Sequence, residues 1–128
     1  MSDKRARILA IDDEPMLVAV YARMLRRYHD VVPVVGGSAA IELLERDAAF
    51  DVVLCDVMMP EVSGLDVYRT AARLSRELAA RFVFLTGGAH TDEAARFLAT
   101  ERVPTLDKPA ELQALLAAIA ARLDGGSG

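Results

Sequence analysis

The sequence predicts an α/β fold, a doubly wound five-stranded parallel sheet, on three observations. Short β-branched or apolar runs alternate with stretches of helical period five times along the 128 residues. Four of those runs are almost uninterrupted in apolar residues, the pattern of strands covered by helices on both faces. The runs also end in polar groups: Asp12 and Asp13 after the first, Asp56 after the third, Thr86 after the fourth and Lys108 after the fifth. Strands and helices that alternate through short connections wind into one parallel sheet.

The elements follow in order. The first strand is read at Ile8–Ile11, and Pro15 fits the opening turn of the first helix, where a missing N–H costs nothing. That helix offers Leu17, Val18, Tyr21, Leu25 and Tyr28 on one face. The second strand is Val31–Val35, and Ser38 is placed as the N-cap of the second helix. Val52–Cys55 is the third strand, with Ser63 capping the third helix; Phe82–Leu85 is the fourth, with Thr91 capping the fourth helix. The fifth strand, Val103–Leu106, carries Pro104, which confines it to an edge of the sheet. The fifth helix sets Leu112, Leu115, Leu116, Ile119 and Leu123 at helical spacing. Gly125-Gly-Ser-Gly128 reads as a flexible tail, linker or tag remnant, so the expected organisation is one domain over residues 1–124 and a tail over 125–128.

Composition narrows the function classes. The chain is 53% hydrophobic and 27% charged, as a globular domain is, and its formal charge of −4 argues against a nucleic-acid surface. The arginine groups Arg23, Arg26, Arg27 and Arg73, Arg76, Arg81 read as solvated helix faces. Cys55 is the only cysteine, so no internal disulfide forms, and inside an apolar run it reads as a small buried hydrophobe. No apolar stretch approaches membrane-spanning length and the start lacks a signal-peptide pattern, so the expected compartment is the cytoplasm.

In a parallel sheet the strand ends share one edge, where open α/β folds place their ligands. Asp12, Asp13 and Asp56 gathered there cannot all stay ionised without a compensating cation or a raised pKa. Magnesium suits such a pocket, because it binds through one or two carboxylates and phosphate oxygens. An aspartate can attack phosphorus to give an acyl phosphate, with Lys108 supplying an ammonium and Thr86 a hydroxyl to the phosphoryl oxygens. Gly87 and Gly88 leave room for a bulky donor. Each residue also has a plainer reading, Asp13 or Asp51 as a cap or turn residue and Thr86 as a turn former. Their coincidence at successive strand ends favours the chemical one.

Ile11-Asp-Asp-Glu-Pro15, Leu54-Cys-Asp-Val-Met-Met-Pro60 with Ser63-Gly64, Leu85-Thr-Gly87 and Asp107-Lys-Pro109 resemble the receiver domain of two-component response regulators, over about Arg7 to Leu123. The resemblance implies a flavodoxin-like sheet of order 2-1-3-4-5. It implies that Asp56 accepts a phosphoryl group from a histidine of a sensor histidine kinase or a histidine phosphotransfer domain. Asp13 and Asp56 would bind Mg2+ directly, with the backbone carbonyl of Met58 as a third ligand and Asp12 acting mainly through water. Thr86 and Lys108 would contact the phosphoryl group, and the Lys108–Pro109 peptide would be cis. A downstream effector is implied without being identified; no direct contact with nucleic acid or membrane is expected.

The chain departs from the family pattern at Thr105, where many receivers carry Tyr or Phe, and at Ala110, where Phe is frequent. A coupled threonine–aromatic switch is therefore absent or altered. The outer side of the fifth helix is alanine-rich (Ala114, Ala117, Ala118, Ala121), which argues against dimerisation through charge pairs there. Met16, Val20 and Arg23 form a candidate partner surface on the first helix, the alternative being a wide core stripe. His29 and His90 read as solvent-exposed loop residues rather than phosphodonors. Two other functions stay open at this point: a magnesium-dependent phosphohydrolase of the haloacid-dehalogenase type, disfavoured because Met58 stands where its second acid belongs, and a pseudo-receiver that only binds partners.

Overall fold

The computed structural model describes residues 5–88 and 91–125. Eleven elements follow one another: β1 (Arg7–Asp12), α1 (Pro15–Leu25), β2 (Asp30–Val35), α2 (Gly37–Arg46), β3 (Val52–Asp56), α3 (Gly64–Leu74), α4 (Arg76–Ala79), β4 (Phe82–Thr86), α5 (Asp92–Glu101), β5 (Thr105–Asp107) and α6 (Leu112–Gly125). All strand pairs are parallel, in the order β2-β1-β3-β4-β5. This is the doubly wound sheet that the sequence predicts.

Period-2 alternation in the strands splits the core into two layers. Leu9, Ile11, Val53, Cys55, Phe82 and Phe84 face α2, α3 and α5. Ile8, Val52, Leu54, Val83 and Leu85 face α1 and α6, against Tyr21, Leu25, Leu115 and Ile119. β3 and β4 are buried at every residue, which explains their unbroken apolar character. Phe82 and Phe84 are fully enclosed, and burial of one such side chain contributes about 1.5–3 kcal/mol. Tyr68 packs on both rings and Phe97 on Phe84 and Tyr68, at centroid distances of 5.2–5.9 Å, tying α3 and α5 to β4.

Several local expectations hold. Pro15 opens α1. Ser63 and Asp66 form a reciprocal capping box on α3, and the Thr91 side chain accepts the Ala94 N–H at the start of α5. Others are corrected. Ser38 does not cap α2; Gly36 does, at φ 92°, a left-handed conformation open to glycine, and Ser38 lies inside the helix. Tyr28 lies beyond the end of α1 and is 43% exposed. Pro104 precedes β5 instead of lying in it, and its carbonyl accepts the Phe84 N–H. The other edge strand, β2, tolerates Pro33. The four-residue α4, capped by Ser75, was not anticipated.

His29 is not a free loop histidine. Its Nδ1 accepts the Ala6 N–H at 3.1 Å, and burial first, then Arg5, holds its pKa below the ordinary value. Arg81 is partly buried and donates to the Phe50 carbonyl, so it is not on a solvated face. Ala89, His90 and the tail from 126 lie outside the described residues. Among the described residues no helix is long and apolar enough to cross a membrane.

Candidate functional site: an acidic cluster at the strand ends

Strand order reverses between β1 and β3, and the crevice above their carboxyl ends is where such sheets hold ligands. Asp12 ends β1, Asp13 follows it, and Asp56 ends β3. One carboxylate oxygen from each of the three lies within 4.8 Å of the others. Asp12 and Asp56 are buried, at 1% and 3% exposure, whereas Asp13 is half-buried.

The backbone behind Asp56 is held closely. The Val57 N–H bonds the Leu85 carbonyl at 3.0 Å, and the Gly64 N–H bonds the Val57 carbonyl at 2.8 Å. A Cβ at Gly64 would collide with the Asp56 carbonyl oxygen, so only glycine lets α3 start this close to the site. Met58 follows Val57 with its side chain 39% exposed, beside the cluster along the chain.

Lys108 reaches the cluster from the turn after β5. Its Nζ donates to Asp12 Oδ2 at 3.0 Å and lies 3.4 Å from Asp56 Oδ1. The Lys108–Pro109 peptide is cis, as the resemblance implies. The Lys108 N–H bonds the Thr86 carbonyl at 2.8 Å, which ties this turn to the end of β4. Thr86 is buried, and its hydroxyl oxygen accepts the Gly88 N–H at 3.2 Å. Asp12 Oδ1 accepts the Glu14 N–H at 3.0 Å. Asp12, Asp13, Asp56, Thr86 and Lys108 are thus all at the same sheet edge. Asp51 is not among them: its carboxylate accepts the Arg7 N–H at 2.8 Å, a tertiary tie between residues 44 apart instead of the cap or turn role read from the sequence.

The electrostatics single out Asp56. Burial, then the neighbouring Asp12 charge, raises its pKa from the usual 3.8 to about 6, while Lys108 pulls it back. Burial works against the Lys108 charge, but the bond to Asp12 and the field of Asp56 outweigh it and raise the ammonium's pKa. Cys55, fully enclosed, is pushed well above the ordinary thiol value by burial and then by Asp56, which keeps it an inert thiol. Three carboxylates against one ammonium leave the cluster with excess negative charge, and their oxygen donors suit a hard divalent cation.

Tyr21 is a neighbour of this site that sequence reasoning placed only in the core. The apolar period found its ring, but nothing in the pattern showed that its hydroxyl ends near the Lys108 turn. On α1, Met16 is 83% and Val20 48% exposed, with Arg23 also exposed, so these three are not part of a core stripe.

Comparison with known proteins agrees with this geometry. A family model described as the response regulator receiver domain matches residues 8–120. The DNA-binding response regulator MtrA of Mycolicibacterium smegmatis is 30% identical over 123 residues, 96% of this chain and 53% of that protein. The transcriptional regulatory protein TcrA of Mycobacterium tuberculosis is 33% identical over 82% of this chain and 38% of its own length. The chain therefore spans about half, or less, of the length of these curated relatives. Among solved structures, the response regulator receiver domain protein of Clostridium thermocellum superposes with a TM-score of 0.82 at 27% identity, covering 95% of this chain and 97% of that one. A CheY-like receiver domain protein of Methanospirillum hungatei shares the fold at TM-score 0.84 and 21% identity, over 97% of this chain and 98% of its own.

Proposed function

This chain belongs to the response regulator receiver domain family, and on that premise we propose that Asp56 is its phosphoacceptor, charged by a phosphohistidine of a sensor histidine kinase or histidine phosphotransfer domain. The observation that carries the reading is the buried Asp56 carboxylate, gathered within 4.8 Å of those of Asp12 and Asp13 and 3.4 Å from the Lys108 ammonium. An Asp56 oxygen attacks phosphorus, the bond from phosphorus to the donor histidine nitrogen breaks, and that nitrogen keeps the electron pair. Lys108 moves from its shared position to a phosphoryl oxygen, and the Thr86 hydroxyl donates to another.

Asp13, Asp56 and the Met58 carbonyl would hold Mg2+, with Asp12 acting through water; the clustered carboxylate oxygens support that assignment. Bound there, the ion offsets the charge of the phosphoryl group during transfer. The domain forms and loses its own acyl phosphate but turns over no metabolite, and Met58 leaves the position of a hydrolase's second acid without a carboxylate. One receiver unit over residues 1–124 with a tail at 125–128, acting in the cytoplasm on an effector still to be identified, completes the proposal. The formal charge of −4 supports a segment that makes no nucleic-acid contact itself.

The test is intact-protein mass after incubation with acetyl phosphate, with and without magnesium, for the wild-type chain and Asp56→Asn. One magnesium-dependent phosphoryl adduct, lost in the variant, is the expected result. Absence of an adduct with both acetyl phosphate and a phosphohistidine donor would leave a pseudo-receiver in its place.

A further inference from the structure

At the edge of the sheet opposite the acidic cluster, α3, α4, the end of α5 and α6 border a pocket of about 450 Å3. It lies beside the start of β4, since Arg122 in its lining donates from Nε to the Phe82 carbonyl at 3.0 Å. That volume is in the range of small-molecule sites. Ala72, Ala79 and Ala80 bring only methyl groups to it, which leaves room for a ligand. Val103, 7% exposed, and the half-buried Tyr68 give it an apolar inner wall. The Tyr68 ring is held by edge contacts with Phe82 and Phe97, each at a centroid distance of 5.2 Å.

The polar part of the lining is basic. Arg76, Arg102 and Arg122 stand against a single carboxylate, Glu101, an excess of two positive charges in a chain whose formal charge is −4. Among the described residues, arginine ion pairs are made by Arg5, Arg7 and Arg69 and by none of these three. Arg122 is half-buried, and burial works against its charge, with the Tyr68 phenol the group that acts the other way. Its Nε is engaged by Phe82, which leaves the outer guanidinium nitrogens for an external acceptor. Arg102 is the C-cap of α5 at φ 57° and ψ 36°, a left-handed conformation that glycine adopts without strain and arginine does not. The fold alone would be better served by glycine there, which points to a use for the guanidinium.

We propose that this pocket binds a small phosphomonoester with a flat apolar body, its phosphate held by Arg76, Arg102 and Arg122 and its body lying on Tyr68 and Val103. Guanidinium groups recognise phosphate through paired N–H donors. Two excess positive charges match the charge that a phosphomonoester approaches at neutral pH, and a planar body gains aromatic contact with Tyr68. The site is separate from the acidic cluster and does not rest on the role of Asp56.

The probe is phenyl phosphate, titrated into the chain in a chelator at neutral pH and followed by amide resonances. Saturable shifts at Ala79, Arg102 and Val103 are expected, with a Kd of about 1 mM for so small a ligand. Inorganic phosphate lacks the ring and benzoate lacks the second charge, so each should bind at least roughly fivefold more weakly. Arg102→Gly and Arg76→Gln, both at exposed positions, should each weaken phenyl phosphate by a similar factor. Arg102→Gly should leave the urea midpoint equal or higher, because it removes the left-handed strain. Shifts confined to the acidic edge, no saturation by about 10 mM, or unaltered affinity in the two arginine variants would overturn the proposal. Inorganic phosphate binding as tightly as phenyl phosphate would refute the role of the apolar wall, and benzoate binding as tightly would refute the choice of phosphate.

Discussion

Replacing Asp56 with asparagine should stabilise the metal-free protein at neutral pH. The carboxyl pKa rises from 3.8 to about 6 on folding, so between these values the folded chain keeps a proton that the unfolded chain has released. Stability from this group is fully present below pH 3.8 and lost as pH rises through about 6. The shift corresponds to about 3 kcal/mol at pH 8. The pull of Lys108 is already contained in that value; solvent screening at the open side of the cluster, where Asp13 is only half-buried, reduces the expected gain for Asp56→Asn to about 2 kcal/mol. Urea unfolding of both proteins in a chelator at pH 3.5, 5 and 8 measures it. The curves should coincide at the lowest pH and separate progressively above it. Magnesium should narrow the gap by stabilising only the wild type, by about 1.4 kcal/mol at ten times its Kd. A difference independent of pH, or an asparagine variant less stable at pH 8, would refute the electrostatic account.

Three further perturbations test the frame around the site. Gly64→Ala forces a methyl group onto the Asp56 carbonyl; it should cost about 1–3 kcal/mol in urea unfolding and also slow acyl phosphate formation. Ser63→Ala removes the capping box at the same helix start and should cost about 1 kcal/mol, with phosphorylation by acetyl phosphate nearly unchanged. Met16→Asp, at a position 83% exposed, should alter stability by less than about 0.5 kcal/mol. If α1 is a docking surface, that variant loses transfer from a phosphohistidine protein but keeps labelling by acetyl phosphate; equal transfer from both donors removes the docking reading.

What the sequence made legible follows from the range of each interaction. Strands β3 and β4 are buried on both faces, so their identity is written in consecutive residues, and so are the polar residues that end them, Asp56 and Thr86. The Ser63 and Thr91 caps act over three residues and were readable for the same reason. Ser38 misled because the rule for polar caps ignores the backbone: Gly36 takes the left-handed turn, and the next residue, Gly37, packs against the carbonyl of Val62 from a distant loop. The helix α4 is a single turn, too short for a period to register. Tertiary facts were out of reach. The ion pair of Lys108 with Asp12 joins residues 96 apart in sequence, and the ring of Tyr21 was readable as core while its hydroxyl's destination was not.

The distribution of partners within the cluster explains why the chemistry falls on Asp56. Asp12 has both oxygens engaged, one by the Glu14 N–H and the other by Lys108 at 3.0 Å. Its desolvation is therefore compensated inside the protein. Asp13 is half-buried and retains contact with solvent. Asp56 is as enclosed as Asp12, but its contact with the ammonium already bonded to Asp12 is the longer one, at 3.4 Å. Of the two buried carboxylates it is the one less well compensated by partners among the described residues, and burial with the adjacent Asp12 charge raises its pKa accordingly. A cation in the cluster reduces the deficit in compensation by supplying charge, and phosphorylation, which turns the carboxylate into a mixed anhydride, moves the negative charge outward toward Lys108 and Thr86. The same arrangement that costs stability in the resting chain thus lowers the cost of the modified one, which is why the stabilising asparagine variant and the non-phosphorylatable variant are the same protein.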